Sequence, residues 1–436
     1  MQMKHESQTL KDWCKLAKAS SSNETRGKFP IMNTNSHITT PAIPVVSIAD
    51  LQADPHERFR FWRAKMPVIQ REDGTYLILR AADFATIYDE TKTRQLETEF
   101  LAIRGVTSGP IFDLFANGML TSNGAAHTKR RGLVARTFVR RLIEELRPSI
   151  RRIVDEILDH NHSAGGMDVL DDYGTLIPAR TIAGLLDLPS GDIARFTSYV
   201  YTVSRILSGE WTDDEVPAIA AAAAGLNAYA EEVMAERRRS PRPGFLTDYL
   251  SAVDSSDEVS QLEAVAQLVS LVIGGSDTTR GAIVCQTSLL LQHREHWRFL
   301  LNHPEAIPGA VSECLRYEPI TASVPRFSID DITLEDYTIP KHSVVTPITM
   351  SALRDPGMFL DPDTFDIGRP PQRWHLIFGS GAHRCLGEAL ARIELEESLA
   401  ALLDRYPDLQ LVDGPAAVSG FSGIRRAGHL PVRWSL

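Results

Sequence analysis

The stretch Phe378-Gly379-Ser380-Gly381-Ala382-His383-Arg384-Cys385-Leu386-Gly387 sets two loop glycines, a histidine and a cysteine ahead of a run whose apolar positions Leu386, Leu390 and Ile393 share one helical face. The pattern predicts a helix from about Leu386 to Leu403, with the cysteine at its N-terminus. Unpaired backbone N–H groups and the positive end of the helix dipole there favour a thiolate over a thiol, which a metal ligand requires. Glycines let the backbone approach the sulfur and donate to it. A cysteine beside two glycines is by itself more often structural. The other three cysteines, Cys14, Cys285 and Cys314, lie far apart with no C-x-x-C pair, which suggests neither a disulfide framework nor a zinc ribbon.

Upstream, Leu271-Val272-Ile273-Gly274-Gly275-Ser276-Asp277-Thr278-Thr279 interrupts a helix predicted over Ser260 to Gln292. Two adjacent interior glycines cost on the order of 1 kcal/mol each relative to alanine, so they call for a reason. A hydroxyl on Thr278, four residues after Gly274, can bond back to the Gly274 carbonyl and distort the helix, opening room beside it. Helix–helix close packing by glycine is the plainer alternative. Further on, Glu313-Cys314-Leu315-Arg316 puts an acid and a guanidinium on one helix face, a spacing that many solvated helices share.

Together these segments, in this order, resemble the cytochrome P450 family. F-x-x-G-x-H-x-C-x-G is similar to its haem-ligand loop, Gly274 to Thr278 to its oxygen-activation stretch, and Glu313, Arg316 and Arg369 to its Glu-Arg-Arg structural network. The resemblance runs from about Pro41 to the C-terminus. It implies a mainly α fold with a minor antiparallel β part enclosing haem b, whose iron takes its axial thiolate from Cys385, with Phe378 a structural member of the loop. Haem propionates are carboxylates that need charge-assisted donors. His127 and Arg131, at i and i+4 on a helix predicted over His127 to Val139, fit that need, as do Arg326 and His383. Asp277 and Thr278 are the expected catalytic pair, managing protons for O2 chemistry. Asn123-Gly124-Ala125-Ala126 departs from the usual Asp-Gly-Pro-Glu ahead of the histidine.

The implied reaction is monooxygenation of an apolar or semi-polar small organic substrate. No flavin-reductase motif is present, so electrons are expected from a separate ferredoxin or flavodoxin-type donor with its own reductase. Arg130, Arg131, Arg136, Arg140 and Arg141 form a basic cluster suited to such an acidic donor. Substrate contacts are expected from Leu96 to Met119, Phe196 to Ser208, Gly274 to Thr278 and Ile320 to Val324. A peroxide-driven haem-thiolate enzyme is the rival within enzymes, although it would not need Asp277 and Thr278. A non-enzymatic haem-thiolate sensor is the rival outside them, and would be expected to carry a signalling segment.

The rest of the chain is consistent with this. Of 436 residues, 43% are apolar and 23% charged, the composition of an ordinary globular protein able to enclose a cofactor. A formal charge of −10 argues against nucleic acid as a partner. Residues 1–40 read as a polar tail with at most a short helix at Leu10 to Ala19, and 41–436 as one domain. No run approaches the roughly 18 apolar residues of a membrane span, so a cytoplasmic, monomeric protein is expected. Val68-Ile69 and Tyr76 to Leu79 flank Asp73-Gly74 as a β-hairpin. Further helices are predicted over Leu142 to Leu158, Thr175 to Leu186, Ile193 to Leu207, Ala218 to Arg238 and Ala306 to Tyr317. Short strands are predicted at Ile332 to Leu334, Tyr337 to Ile339, Leu409 to Val412 and Leu430 to Trp434.

Overall fold

The computed structural model describes residues 41–436 except 139–142, 144, 209–210 and 371–374. The tail, its short helix, Arg140 and Arg141 lie outside the described residues.

The long helix, Gln261–Gln292, is the axis of the molecule. Ser260 caps it in a capping box with Glu263, satisfying backbone donors that would otherwise be orphaned at the start. Most of its side chains are buried, all round rather than on one stripe, so it must be surrounded. Helices Leu176–Leu186, Ile193–Ser204, Val216–Arg239, Ile307–Tyr317 and Glu388–Arg405 pack about it in the main apolar core.

Several predicted ends shift, each for a local reason. The helix expected over Leu142 to Leu158 is broken at Leu146: Leu142 lies outside the described residues, Ile143 and Glu145 are helical, and a separate helix runs Arg147–Asn161, where Pro148 occupies the first turn and so loses no hydrogen bond. The segment Ile193 to Leu207 ends as an α-helix at Ser204 and continues as a 3-10 turn, Arg205–Ser208. A π-helical turn, Val169–Gly174, precedes Leu176–Leu186; no periodicity argument anticipates it. The helix carrying His127 spans Gly124–Thr137.

One sheet matters to the site. Its strands are β1 (Val45–Val46), β2 (Val68–Arg71), β3 (Tyr76–Ile78), β4 (Thr93–Gln95), β5 (Arg326–Ser328) and β6 (Val344–Pro347), in the order β1-β2-β3-β6-β5-β4. The β2–β3 hairpin forms as predicted, with Gly74 at φ 91° in the turn. Two pairings, β1 with β2 and β3 with β6, are parallel, a feature that hairpin signals in sequence do not carry. Antiparallel pairing of β4 with β5 sets Gln95 opposite Arg326 and so brings the segment after Tyr88 alongside that arginine. A second apolar cluster, including Leu51, Phe59, Ile69, Leu77, Met350 and Phe421, lies against this sheet.

Candidate functional site

The cysteine loop is held by its own backbone. Cys385 N donates to Phe378 O at 2.8 Å, and Gly379 and Gly381 adopt φ of 69° and 66°, the left-handed region that glycine enters without steric cost. The following helix begins at Glu388 with Gly387 as its N-cap, so Cys385 lies two residues before the cap and not at the helix N-terminus as the pattern suggested. The helix dipole therefore acts on the sulfur more weakly than expected. Burial is the largest influence on Cys385 and pushes its thiol up; the Gly387 N–H, Arg131 and Arg384 pull in the opposite direction. The side chain is nevertheless open on one side. Such a sulfur becomes a thiolate when a metal cation binds it, since coordination deprotonates a thiol outright.

Four predicted cofactor-binding side chains converge near this loop. The rings of His127 and His383 stack with centroids 3.9 Å apart and planes at 29°. Burial pushes His127 down to about 4, with Arg131 adding to the effect, and His383 down to about 3, with His127, Arg326 and Arg131 adding. Both imidazoles are neutral at pH 7, and His127 Nε2 is buried with no hydrogen-bond partner. Arg131 donates to the Arg384 carbonyl inside the cysteine loop. Arg326 donates through Nε to Thr93 Oγ1 at 2.5 Å and through one Nη to Thr93 O at 3.3 Å. Burial pushes both guanidinium groups down, and neither forms an ion pair among the described residues. Two desolvated cations beside an orphaned ring nitrogen form a cradle for an anion, and paired carboxylates such as haem propionates fit it.

On the long helix, Thr278 Oγ1 donates to Gly274 O at 3.0 Å, and Ser276 repeats the pattern two residues earlier, donating to Val272 O at 2.8 Å. The two glycines differ. A Cβ on Gly275 would stand 3.1 Å from Ile182 Cδ1, which is close helix packing, whereas one on Gly274 would meet nothing within 4 Å. Asp277 is paired with Arg280, whose guanidinium lies 4.0 Å from the centroid of the Tyr201 ring.

Glu313 and Arg316 are both almost fully buried and pair bidentately at 2.7 and 2.8 Å. Arg316 also donates to the carbonyls of Leu353, Pro362 and Thr364. Arg369 approaches Glu313 at 3.3 Å and donates to Leu360, Asp361 and Thr364 carbonyls, while Asp366 N donates to the Glu313 carboxylate at 2.8 Å. The three residues therefore fasten the segment 353–366 to the helix Ile307–Tyr317. Phe378, partly buried, lies 5.0 Å from the Arg392 guanidinium.

Sequence reasoning missed three features. Tyr88 and Thr93 reach Arg326 only because strand pairing folds β4 onto β5. The turn Gly420 to Ile424 docks on the Ile320 to Val324 segment, with Ala322 N donating to Gly423 O at 2.9 Å and Arg425 N to Ile320 O at 2.7 Å. Gly423, at φ 60° against Leu207, was its one available signal. Glu394, fully buried on the helix after the cysteine, carries nothing in its sequence context to mark it.

Comparison with known proteins agrees with this geometry. A sequence model described as Cytochrome P450 matches residues 301–411. The plant-inducible cytochrome P450-pinF1 of Rhizobium radiobacter is 41% identical over 408 residues, covering 94% of this chain and 96% of that protein. Nocardicin C N-oxygenase of Nocardia uniformis subsp. tsuyamanensis is 34% identical, covering 73% of this chain and 80% of its own. Among solved structures, CalO2 superimposes with a TM-score of 0.82 at 29% identity, over 89% of this chain and 97% of that one. Epothilone D-bound cytochrome P450epoK gives 0.81 at 27%, over 89% and 98%. Fold and cysteine loop together define a haem-thiolate protein. The chain belongs to the cytochrome P450 family and is a monooxygenase of that family, using O2, an organic substrate and a redox partner. No helix among the described residues is long and apolar enough to cross a membrane.

Proposed function

We propose that this enzyme inserts one oxygen atom of O2 into an apolar or semi-polar small organic substrate, with electrons from a separate ferredoxin or flavodoxin-type protein. The observation that carries the site assignment is the group of buried Arg326 and half-buried Arg131, neither in an ion pair among the described residues, beside the neutral His127–His383 stack and adjoining the Cys385 loop. In this reading Cys385 ligates the iron, and His127, Arg131, Arg326 and His383 hold the propionates. Thiolate-ligated haem, when bound, supplies the electron push that favours O–O cleavage. The chain's own residues manage protons. Thr278 holds one at a hydroxyl bonded to the Gly274 carbonyl, in a helix that stays continuous here with open space beside Gly274, and Asp277 takes protons from outside once it leaves Arg280. Glu313, Arg316 and Arg369 keep the segment ahead of the cysteine loop in register.

The names of relatives include an N-oxygenase, a hydroxylase/epoxidase and a hydroxylase, which supports the reaction class over any one substrate. We read 41–436 as one domain, and the protein as cytoplasmic and monomeric. Of the basic cluster, Arg130 is tied to Glu263 at 2.9 Å, which leaves Arg136 as the open member among the described residues for a donor to meet.

The test is spectroscopic and needs no substrate. The reduced, carbon-monoxide-bound protein should absorb at the wavelength typical of thiolate-ligated haem. Cys385→Ser should abolish that band, while Cys285→Ala and Cys314→Ala should keep it; a band that survives in Cys385→Ser removes the assignment.

A further inference from the structure

Tyr88 stands beside the same anion cradle and has no part in the assignment above. It ends the short helix Phe84–Ile87, with its N–H bonded to Phe84 O at 2.9 Å and its ring edge-on to Phe84 at 5.9 Å, so its position is fixed locally. The Arg326 guanidinium carbon lies 5.6 Å from the ring centroid. Thr93 locks the pair together, since its hydroxyl accepts from Arg326 Nε and donates to the carbonyl of Ile87, the residue before Tyr88. With Nε and one Nη engaged by Thr93, the remaining Nη of Arg326 is free to meet a ligand. On its other side Tyr88 abuts the cysteine loop. A Cβ on Gly381, two residues before His383, would stand 3.9 Å from Tyr88 O.

The phenol hydroxyl itself has no hydrogen-bond partner among the described residues. Burial pushes the phenol up to about 12, so it is a donor throughout the neutral range. A phenol next to an arginine with an open donor, at the edge of a cofactor pocket, can share with that arginine the anion it binds.

We propose that Tyr88 is a further positioning residue of the cofactor pocket, its hydroxyl donating a hydrogen bond to the haem propionate that Arg326 neutralises. The proposal rests on the haem site described above, and its test separates the two. The holoprotein and its Tyr88→Phe variant, which lacks only the oxygen, are mixed with excess apomyoglobin and haem transfer is followed in the Soret region. Loss of one charge-assisted bond should speed transfer about tenfold, which equals about 1.4 kcal/mol at 25 °C. The variant should keep the thiolate carbon-monoxide band; absence of that band in the wild type would sink the haem site itself and not this residue alone.

Both proteins are then reconstituted with haem dimethyl ester, whose propionates are capped. The difference between them should shrink, since an uncharged ester carbonyl accepts a weaker bond than a carboxylate. Equal transfer rates with native haem, or an undiminished difference with the ester, would overturn the proposal by making Tyr88 irrelevant or a packing residue. Should the ester not load, the reduction potential decides. A propionate stripped of a donor places more negative charge near the iron, so the variant's potential should fall, and an unchanged potential rejects the bond.

Discussion

Thr278 already uses its hydroxyl proton on the Gly274 carbonyl, in a helix turn where the neighbouring glycine leaves open space. A methyl in its place would keep the fold but remove the only proton at that position. Thr278→Ala is therefore expected to retain haem and bind substrate while diverting electrons to hydrogen peroxide. Measuring NAD(P)H consumed, peroxide released and product formed in one assay checks this; unchanged product per NAD(P)H would assign the turn to packing. Glu394 offers a second test at this scale. Its carboxylate oxygens are buried without a hydrogen-bond partner, the hydroxyls of Thr181 and Thr279 being the polar groups beside it. Burial pushes the carboxyl up to about 8, so the folded protein holds it neutral at pH 7. An unfolded glutamate titrates near 4.3. The folded state therefore binds the proton more tightly, and the stabilisation is complete below about pH 4 and lost as pH rises toward 8. Glu394→Gln keeps the neutral shape at every pH. The stability of the wild type relative to this variant should fall steadily between pH 4.5 and 8, as read from melting temperatures, and a flat difference would mean that Glu394 is ionised in the fold.

At the scale of elements, Glu313, Arg316 and Arg369 decide whether the chain from Leu353 to Asp366 is fastened to the helix Ile307–Tyr317. Their partners are one another, backbone carbonyls and the Asp366 N–H. Arg316→Ala leaves the Glu313 carboxylate buried with less compensation, at a cost of roughly 3–5 kcal/mol, which is a third or more of many domains' stability. Little soluble, haem-loaded protein is expected, and normal expression with full haem content would make the network dispensable. Helix ends were less legible than helix interiors, because each end follows a local chemical cue. The range predicted for the long helix matches Gln261–Gln292, whose Ser260–Glu263 capping box is seen in the structure, whereas the break at Leu146 ahead of Pro148 and the π-helical turn at Val169–Gly174 have no periodic signature.

For the whole molecule the test is electrostatic. The chain carries a formal charge of −10, so an acidic electron donor can approach only through local positive charge. Screening shortens from about 10 Å at 0.1 M salt to about 3 Å at 1 M, and reduction by a cognate donor should slow across that range. A rate indifferent to salt would remove the electrostatic docking. The basic cluster was drawn too broadly from sequence, since Arg130 belongs to Glu263 and the core edge. That error is typical of the division seen throughout. Sequence alone determined what depends on bonded neighbours: the cysteine loop with its glycines, the Thr278 back-bond to Gly274, the i,i+3 pairing of Glu313 with Arg316, and the extent of the long helix. These interactions close within one or two turns of chain. The tertiary structure decided what depends on distant segments meeting. Pairing of β4 with β5 put Tyr88 and Thr93 beside Arg326, docking of the Gly420 to Ile424 turn backed Ile320 to Val324, and packing around the helix after Cys385 buried Glu394. Register and burial arise from the sum of many weak apolar contacts over the whole core, so no single stretch of sequence records them.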